Sequence, residues 1–238
     1  VGVELTGYYK DIRNLNSTEI KNSFIAGDRY GVYVNKDHAN SKGITMAISK
    51  RSRQNFSGNL DYTYSISEGN ASDPTAAFYD EQSDIEPEKM LVPLDWDQRH
   101  TINGTATYQP TKSSGMSMIF SYGSGFPYTT ENTQGQRTSF ENNGRKPATY
   151  NVDLRGFFHF TVSKAIRMTA HINVYNVFDI RNELTVFSDT GRSSYSLIPT
   201  YTPQFSGPSL NSLDEYLINP TYFSSPRQIK LGLSLSFN

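Results

Sequence analysis

Arg227-Gln228-Ile229-Lys230-Leu231-Gly232-Leu233-Ser234-Leu235-Ser236-Phe237-Asn238 is the stretch on which the fold turns. Ile229, Leu231, Leu233, Leu235 and Phe237 share one face of an extended chain; Gln228, Lys230, Gly232, Ser234 and Ser236 share the other. Side chains alternate with a period of two along a strand, so such a segment has one face in an apolar medium and one in a polar medium. A protein core could supply the apolar side. So could lipid, with a watery lumen opposite.

The same pattern recurs upstream. Val1, Val3, Leu5, Gly7 and Tyr9 alternate with Gly2, Glu4, Thr6, Tyr8 and Lys10, which predicts a first strand to about Arg13. The polar run Asn14 to Arg29 reads as a loop. A second strand is expected from about Tyr30 to Arg53, with Gly43 marking a bulge or kink. A third carries Phe56, Gly58, Leu60, Tyr62, Tyr64 and Ile66 on one face. Gly69 to Asp97 is polar, acidic and interrupted by Pro74, Pro87 and Pro93, hence a long loop with room for a short helical turn.

A fourth strand is expected from about Arg99 to Gln109, and a fifth through Met116, Met118, Phe120 and Tyr122, where Ile119 breaks phase. Gly125 to about Pro147 is again loop. The sixth strand sets Tyr150, Val152, Leu154, Phe158, Phe160 and Val162 against Asn151, Asp153, Arg155, His159 and Thr161. The seventh sets Ile166, Met168, Ala170, Ile172 and Val174 against Arg167, Thr169, His171, Asn173 and Tyr175. About Asp179 to Ser225 is the longest loop, and the opening stretch is the eighth strand.

Connections after strands two, four and six are a few residues each, whereas those after one, three, five and seven are long. All short turns thus lie at one end. Outer-membrane barrels are built this way, with tight periplasmic turns and long extracellular loops, whereas soluble sandwiches and barrels mix loop lengths at both ends. The expected fold is therefore all-β: an antiparallel up-and-down transmembrane β-barrel segment of about eight strands, one partial barrel domain over residues 1–238. Leu231, Leu233, Leu235, Ile172, Val174, Leu154 and Phe160 are expected to face lipid. The polar lumen wall is expected to include Asp153, Arg155, His159, Arg167, His171 and Lys230.

Composition fits. With 238 residues, a net charge of −1 and no cysteine, the chain offers no electrostatic case for nucleic acid and neither a disulfide framework nor a thiolate metal site. Mean hydropathy is −0.57, and no apolar run approaches the ~18 residues of a membrane-spanning helix. A barrel is not detected by that measure, because half of each strand faces polar surroundings. The chain begins at Val1 already inside an alternating segment, which reads as a removed signal or, preferably, as the C-terminal piece of a longer protein.

Four short motifs stand at strand ends: Asp95-Trp96-Asp97-Gln98-Arg99-His100, Ser124-Gly125-Phe126-Pro127-Tyr128-Thr129, Asn173-Val174-Tyr175-Asn176-Val177-Phe178-Asp179 and Ser225-Pro226-Arg227-Gln228-Ile229. In this order they resemble the C-terminal barrel of TonB-dependent outer-membrane receptors. The resemblance spans essentially the whole chain. It implies residence in the bacterial outer membrane and a barrel of about 22 strands with an N-terminal plug, energised through the TonB complex. Ferric siderophores, cobalamin, glycans or peptides are the implied cargo, with no resident cofactor. The plug and the TonB-contacting region have no counterpart here, and Phe237 is penultimate where the family usually ends on the aromatic residue.

For catalysis or metal binding the best candidate is the His159/His171 neighbourhood with Asp153, inward residues on paired strands ~5–8 Å apart. The preferred reading is a polar wall bonded to Thr, Asn or water, because two histidines without a third ligand rarely form a selective site. Asp73, Asp80, Glu81, Asp84, Glu86 and Glu88 could hold Ca²⁺ but lack the spacing of an EF-hand loop, so a solvated loop is preferred. Of the loop aromatics Trp96, Phe126, Tyr128, Tyr201 and Phe205, Trp96 and Tyr128 are the chosen ligand contacts. Three classes stay open: a barrel segment of an energised transporter, a stand-alone eight-stranded barrel acting as anchor, adhesin or small pore, and an outer-membrane hydrolase. The non-enzymatic transporter is favoured.

Overall fold

The computed structural model describes residues 1–25, 27–51, 55–75, 78, 80, 90–163, 166–198, 215 and 217–237. Among the described residues there are eleven strands: β1 (Gly2–Asn22), β2 (Arg29–Lys50), β3 (Phe56–Gly69), β4 (Val92–Pro93), β5 (His100–Thr111), β6 (Ser114–Gly123), β7 (Pro127–Tyr128), β8 (Gly144–Arg145), β9 (Thr149–Ser163), β10 (Ile166–Tyr175) and β11 (Gln228–Phe237). One antiparallel sheet runs β1-β2-β3-β5-β6-β9-β10-β11, with β4 appended to β3 and a separate β7-β8 pair. The eight long strands are those expected from the alternation.

Register explains why a single face is apolar. Leu5 lies opposite Met46, Met46 opposite Tyr62, Tyr62 opposite Ile102 and Ile102 opposite Tyr122. The row continues through Tyr150. Farther along, Leu154 faces Val174 and Val174 faces Ile229. Residues directly opposite in a ladder project to the same side, so a one-residue slip anywhere would have turned one strand's apolar set inward. No slip occurs within this band. The polar rows are equally continuous, as in Thr6, Thr45, Thr63 and Thr101, with Thr45 and Thr63 hydroxyls 3.0 Å apart.

The apolar side is not a core. Among the described residues only Ala39, Val92 and Leu94 are buried hydrophobics, while Leu231 is 77% exposed and Leu233 70%. The chain exposes 15970 Å², against roughly 10,800 Å² for a soluble monomer of this mass. An exposed apolar band this continuous requires lipid around it. β1 and β11 form no ladder with each other, so the sheet is open.

Two expectations need correction. Asn14 to Arg29 is not a loop: β1 continues to Asn22 and β2 starts at Arg29, so only Ser23 to Asp28 connects them. Backbone pairing carries on beyond the apolar band, because a ladder in water needs no apolar face. The departure from the band is marked by Asn14 at φ 60° and register shifts between Ile12 and Asn16, a bulge that re-aims the hairpin. Its Thr18 hydroxyl donates to the Pro74 carbonyl (2.9 Å), which braces it on the β3–β5 connection. Gly43 is not a bulge either. It pairs regularly with Tyr8, and a Cβ there would lie 2.8 Å from the Tyr8 ring and 2.5 Å from the Tyr64 carbonyl, so glycine makes room for Tyr8.

Candidate ligand-facing wall and loop mouth

The lumen-side residues anticipated from sequence lie on adjacent strands but do not converge on one centre. Asp153, Arg155 and His159 stand on β9, Arg167 and His171 on β10, and Lys230 on β11. His159 Nδ1 is 2.7 Å from the Thr169 hydroxyl, and its ring lies 4.8 Å from that of Phe157. His171 is paired with Phe157 on one side and Gly232 on the other. Its imidazole, Nε2 foremost, occupies the space beside Gly232 where any Cβ would collide. The two histidines are therefore diagonal neighbours filling the wall. Among the described residues no three His, Asp or Glu side chains are grouped to hold a metal ion.

Asp153 and Lys230 do share a cleft. It measures about 340 Å³ at the long-loop end of β9, β10 and β11, and Asn151, Tyr175, Asn176 and Gln228 also line it. Asp153 accepts from Asn151 Nδ2 (2.8 Å) and from the Asn176 amide (2.9 Å). Lys230 Nζ sits 5.1 Å from the centre of the Tyr175 ring. The cleft thus offers an ammonium, amides and an aromatic face on the polar side of the sheet, a surface suited to a polar solute.

The loop mouth is held by polar groups, Asp97 and Asn176 of the strand-end motifs among them, whose distant partners the sequence does not name. Asp97 is fully buried. Its carboxylate accepts from the Ser67 amide (2.7 Å), Arg99 Nε (2.8 Å) and the Arg145 guanidinium. Three separate segments are tied by one side chain. Asn142, at φ 59°, donates to Asp95 (2.8 Å), the Pro93 carbonyl (2.9 Å) and Ser72 (3.2 Å). Asn182 pairs both ways with the Tyr150 backbone (3.0 and 2.8 Å), and Asn176 Nδ2 donates to the carbonyls of Ile180 (2.9 Å) and Ser225 (3.0 Å). The available signal was the strand-end position of these Asp and Asn residues, which favours capping and left-handed backbone.

Trp96 is 54% exposed between the two tethering aspartates, open at the mouth. Tyr128 lies on β7, its ring against Gly144, where a Cβ would be 2.7 Å away, and against Gly191. Burial, then the Asp189 carboxylate, push its phenol above the usual range. Of the acidic loop, Asp80 pairs with Arg137 (3.5 Å) and Asp73 accepts from Thr75 (2.7 and 2.6 Å). Glu81, Asp84, Glu86, Glu88, Tyr201 and Phe205 lie outside the described residues.

No family model matches the chain, and no curated protein matches its sequence. Solved structures do. The outer membrane transporter YddB from Escherichia coli superposes with a TM-score of 0.59 at 12% identity, over 99% of this chain and 30% of that one. The copper transporter OprC gives a TM-score of 0.45 at 12% identity, over 99% of this chain and 28% of that one. The chain spans about 30% of the YddB chain. The fold is that of a stretch of outer-membrane transporter barrel, as the alternation and the strand-end motifs had implied.

Proposed function

We propose that this chain forms the C-terminal part of the barrel wall of a TonB-dependent transporter in the bacterial outer membrane, taking up a siderophore, glycan, cobalamin or peptide. One observation carries the reading: a sheet of eight long strands, with the short β4 appended, whose apolar face runs unbroken to two unpaired edges. Val3 and Leu5 on β1, and Leu231 and Leu233 on β11, are all exposed. In lipid, unpaired N–H and C=O groups at such edges cost several kcal/mol each, so further strands must complete the barrel. A stand-alone eight-stranded barrel would need the β1–β11 ladder that this sheet lacks.

On this reading the Asp153–Lys230 cleft belongs to the translocation path, and Trp96 and Tyr128 meet ligand at the mouth. The test is accumulation of labelled ferric siderophores, cobalamin, oligosaccharides and peptides by cells carrying the protein, with and without a functional TonB complex. Uptake of one class that disappears with TonB is expected. Uptake indifferent to TonB would refute the energised transporter and leave a passive pore.

A further inference from the structure

The outward face is not uniform. Gly58 pairs with Ala106, and Leu60 with Gly104, so three small residues meet on the lipid side of β3 and β5. They leave a hollow of about 330 Å³, walled by Ile48, Met118 and Phe120. At its short-turn end stand Phe56 and Lys50, the Lys50 ammonium 5.0 Å from the centre of the Phe56 ring. A cation stacked on an aromatic face keeps its N–H groups available to an anion. Among the described residues at the short-turn end, 50–51, 55–56, 109–114, 162–163 and 166–167, stand Lys50, Arg51, Lys112 and Arg167 and no Asp or Glu. The nearest acidic groups in the sheet, Glu4 and Asp61, both lie opposite Ala47, on the other face from Lys50.

We propose that this hollow is a specific site for one anionic phospholipid of the leaflet at the short-turn end, with an acyl chain over Gly58, Gly104 and Ala106 and the phosphate on Lys50. The inference rests on the membrane reading above and goes beyond it. A smooth barrel face is wetted by any lipid, whereas a hollow with a fixed cation at its rim pairs shape with charge. The charge complementarity selects a phosphate without a neutralising ammonium over a zwitterionic headgroup.

The test is native mass spectrometry of the protein released from membranes in mild detergent, titrated with phosphatidylglycerol or phosphatidylcholine of identical chains. The first phosphatidylglycerol is expected to bind more tightly. Lys50→Gln should weaken it about fivefold, the contribution of one basic residue near a lipid surface, and leave phosphatidylcholine unchanged. Ala106→Leu, which fills the hollow, should weaken both lipids; Ala170→Leu, on the outward face of β10, should weaken neither. Equal binding of the two lipids together with an inert Lys50→Gln would overturn the site. So would a dimer of this protein that Ala106→Leu dissociates, because the occupant would then be a second copy. Failure of the unaltered protein to fractionate with membranes would instead overturn the membrane reading.

Discussion

Leu233→Arg and Ser234→Arg place the same charge at the same depth on opposite faces of β11. Ten residues from Gln228 to Phe237, rising about 3.3 Å each at a tilt near 40°, cover about 25 Å, the height of the apolar band of an outer-membrane barrel. Leu233 is sixth in that run and lies close to the midplane. It is 70% exposed, so little of the penalty comes from lost protein packing and nearly all from the medium. Arginine there should cost about 2–4 kcal/mol, or about 100-fold in the folding equilibrium at the middle of that range. Ser234 lies opposite Thr169 on the polar side, where arginine can reach water and should cost under about 1 kcal/mol. Urea titration of the protein in phospholipid vesicles, read by protease protection, measures both. Equal penalties, or a larger one for Ser234→Arg, would refute the assignment of faces.

Asp97→Asn keeps the shape but removes the charge facing Arg99 and Arg145; about 3 kcal/mol of local stability should be lost, seen as faster proteolysis within 124–148 with β11 unaffected. Gly232→Ala should destabilise by about 1–3 kcal/mol through collision with the His171 ring, and His171→Ala in the same chain should recover most of it in thermal scans. Glu141 accepts from the Ser72 amide (3.3 Å), and its pKa is raised, first by burial and then by Asp95. A raised carboxyl pKa means that the folded state binds the extra proton, so this contribution is complete below the unfolded value of 4.5 and is lost as pH rises through the folded value. Asp73, held down by Thr75, titrates in the opposite sense. The loop should therefore resist protease better near pH 5 than at pH 8 by a margin that Glu141→Gln removes, and an unchanged margin in that variant would count against the burial argument.

Legibility followed the medium. β11, β9 and β10 were plain because each side chain answers to lipid or water, and the alternation records which. The outer half of the β1–β2 hairpin carries no such record: both faces meet water or loops, so Ser17 and Thr18 read as loop although their backbones are paired with Val34 and Tyr33. Phe157 was hidden in the Gly156-Phe157-Phe158 run, where two adjacent aromatics obscure the period, yet it lies on the polar side of the sheet beside His159. The loop tethers were out of reach for another reason. Arg145 reaches Asp97 across 48 positions of sequence, and no local pattern selects that partner.

Those tethers join into a chain around the mouth. The β1–β2 hairpin holds the β3–β5 connection through Thr18 and Pro74, which is held to segment 124–148 by Asn142 and Arg145. That segment in turn grips the β10–β11 connection through the Ser188 hydroxyl on Glu131 (2.6 Å) and Lys146 Nζ on the Leu184 carbonyl (3.2 Å). Displacing one loop must therefore strain the next. Asn142 is the place to cut the chain, because its side-chain amide meets the β3–β5 connection and its φ of 59° disfavours most replacements. Asn142→Ala combines the lost hydrogen bonds with left-handed strain, about 2–4 kcal/mol together. Asn142→Gly removes the bonds alone and should cost about 1–3 kcal/mol. Hydrogen exchange should then quicken at Met90 to Asp97 and across 124–148 in both variants, while β9 to β11 keep their protection. Unchanged exchange at Met90 to Asp97 in Asn142→Gly would mean that the loops are fastened independently, and a motion begun at Trp96 would stop there.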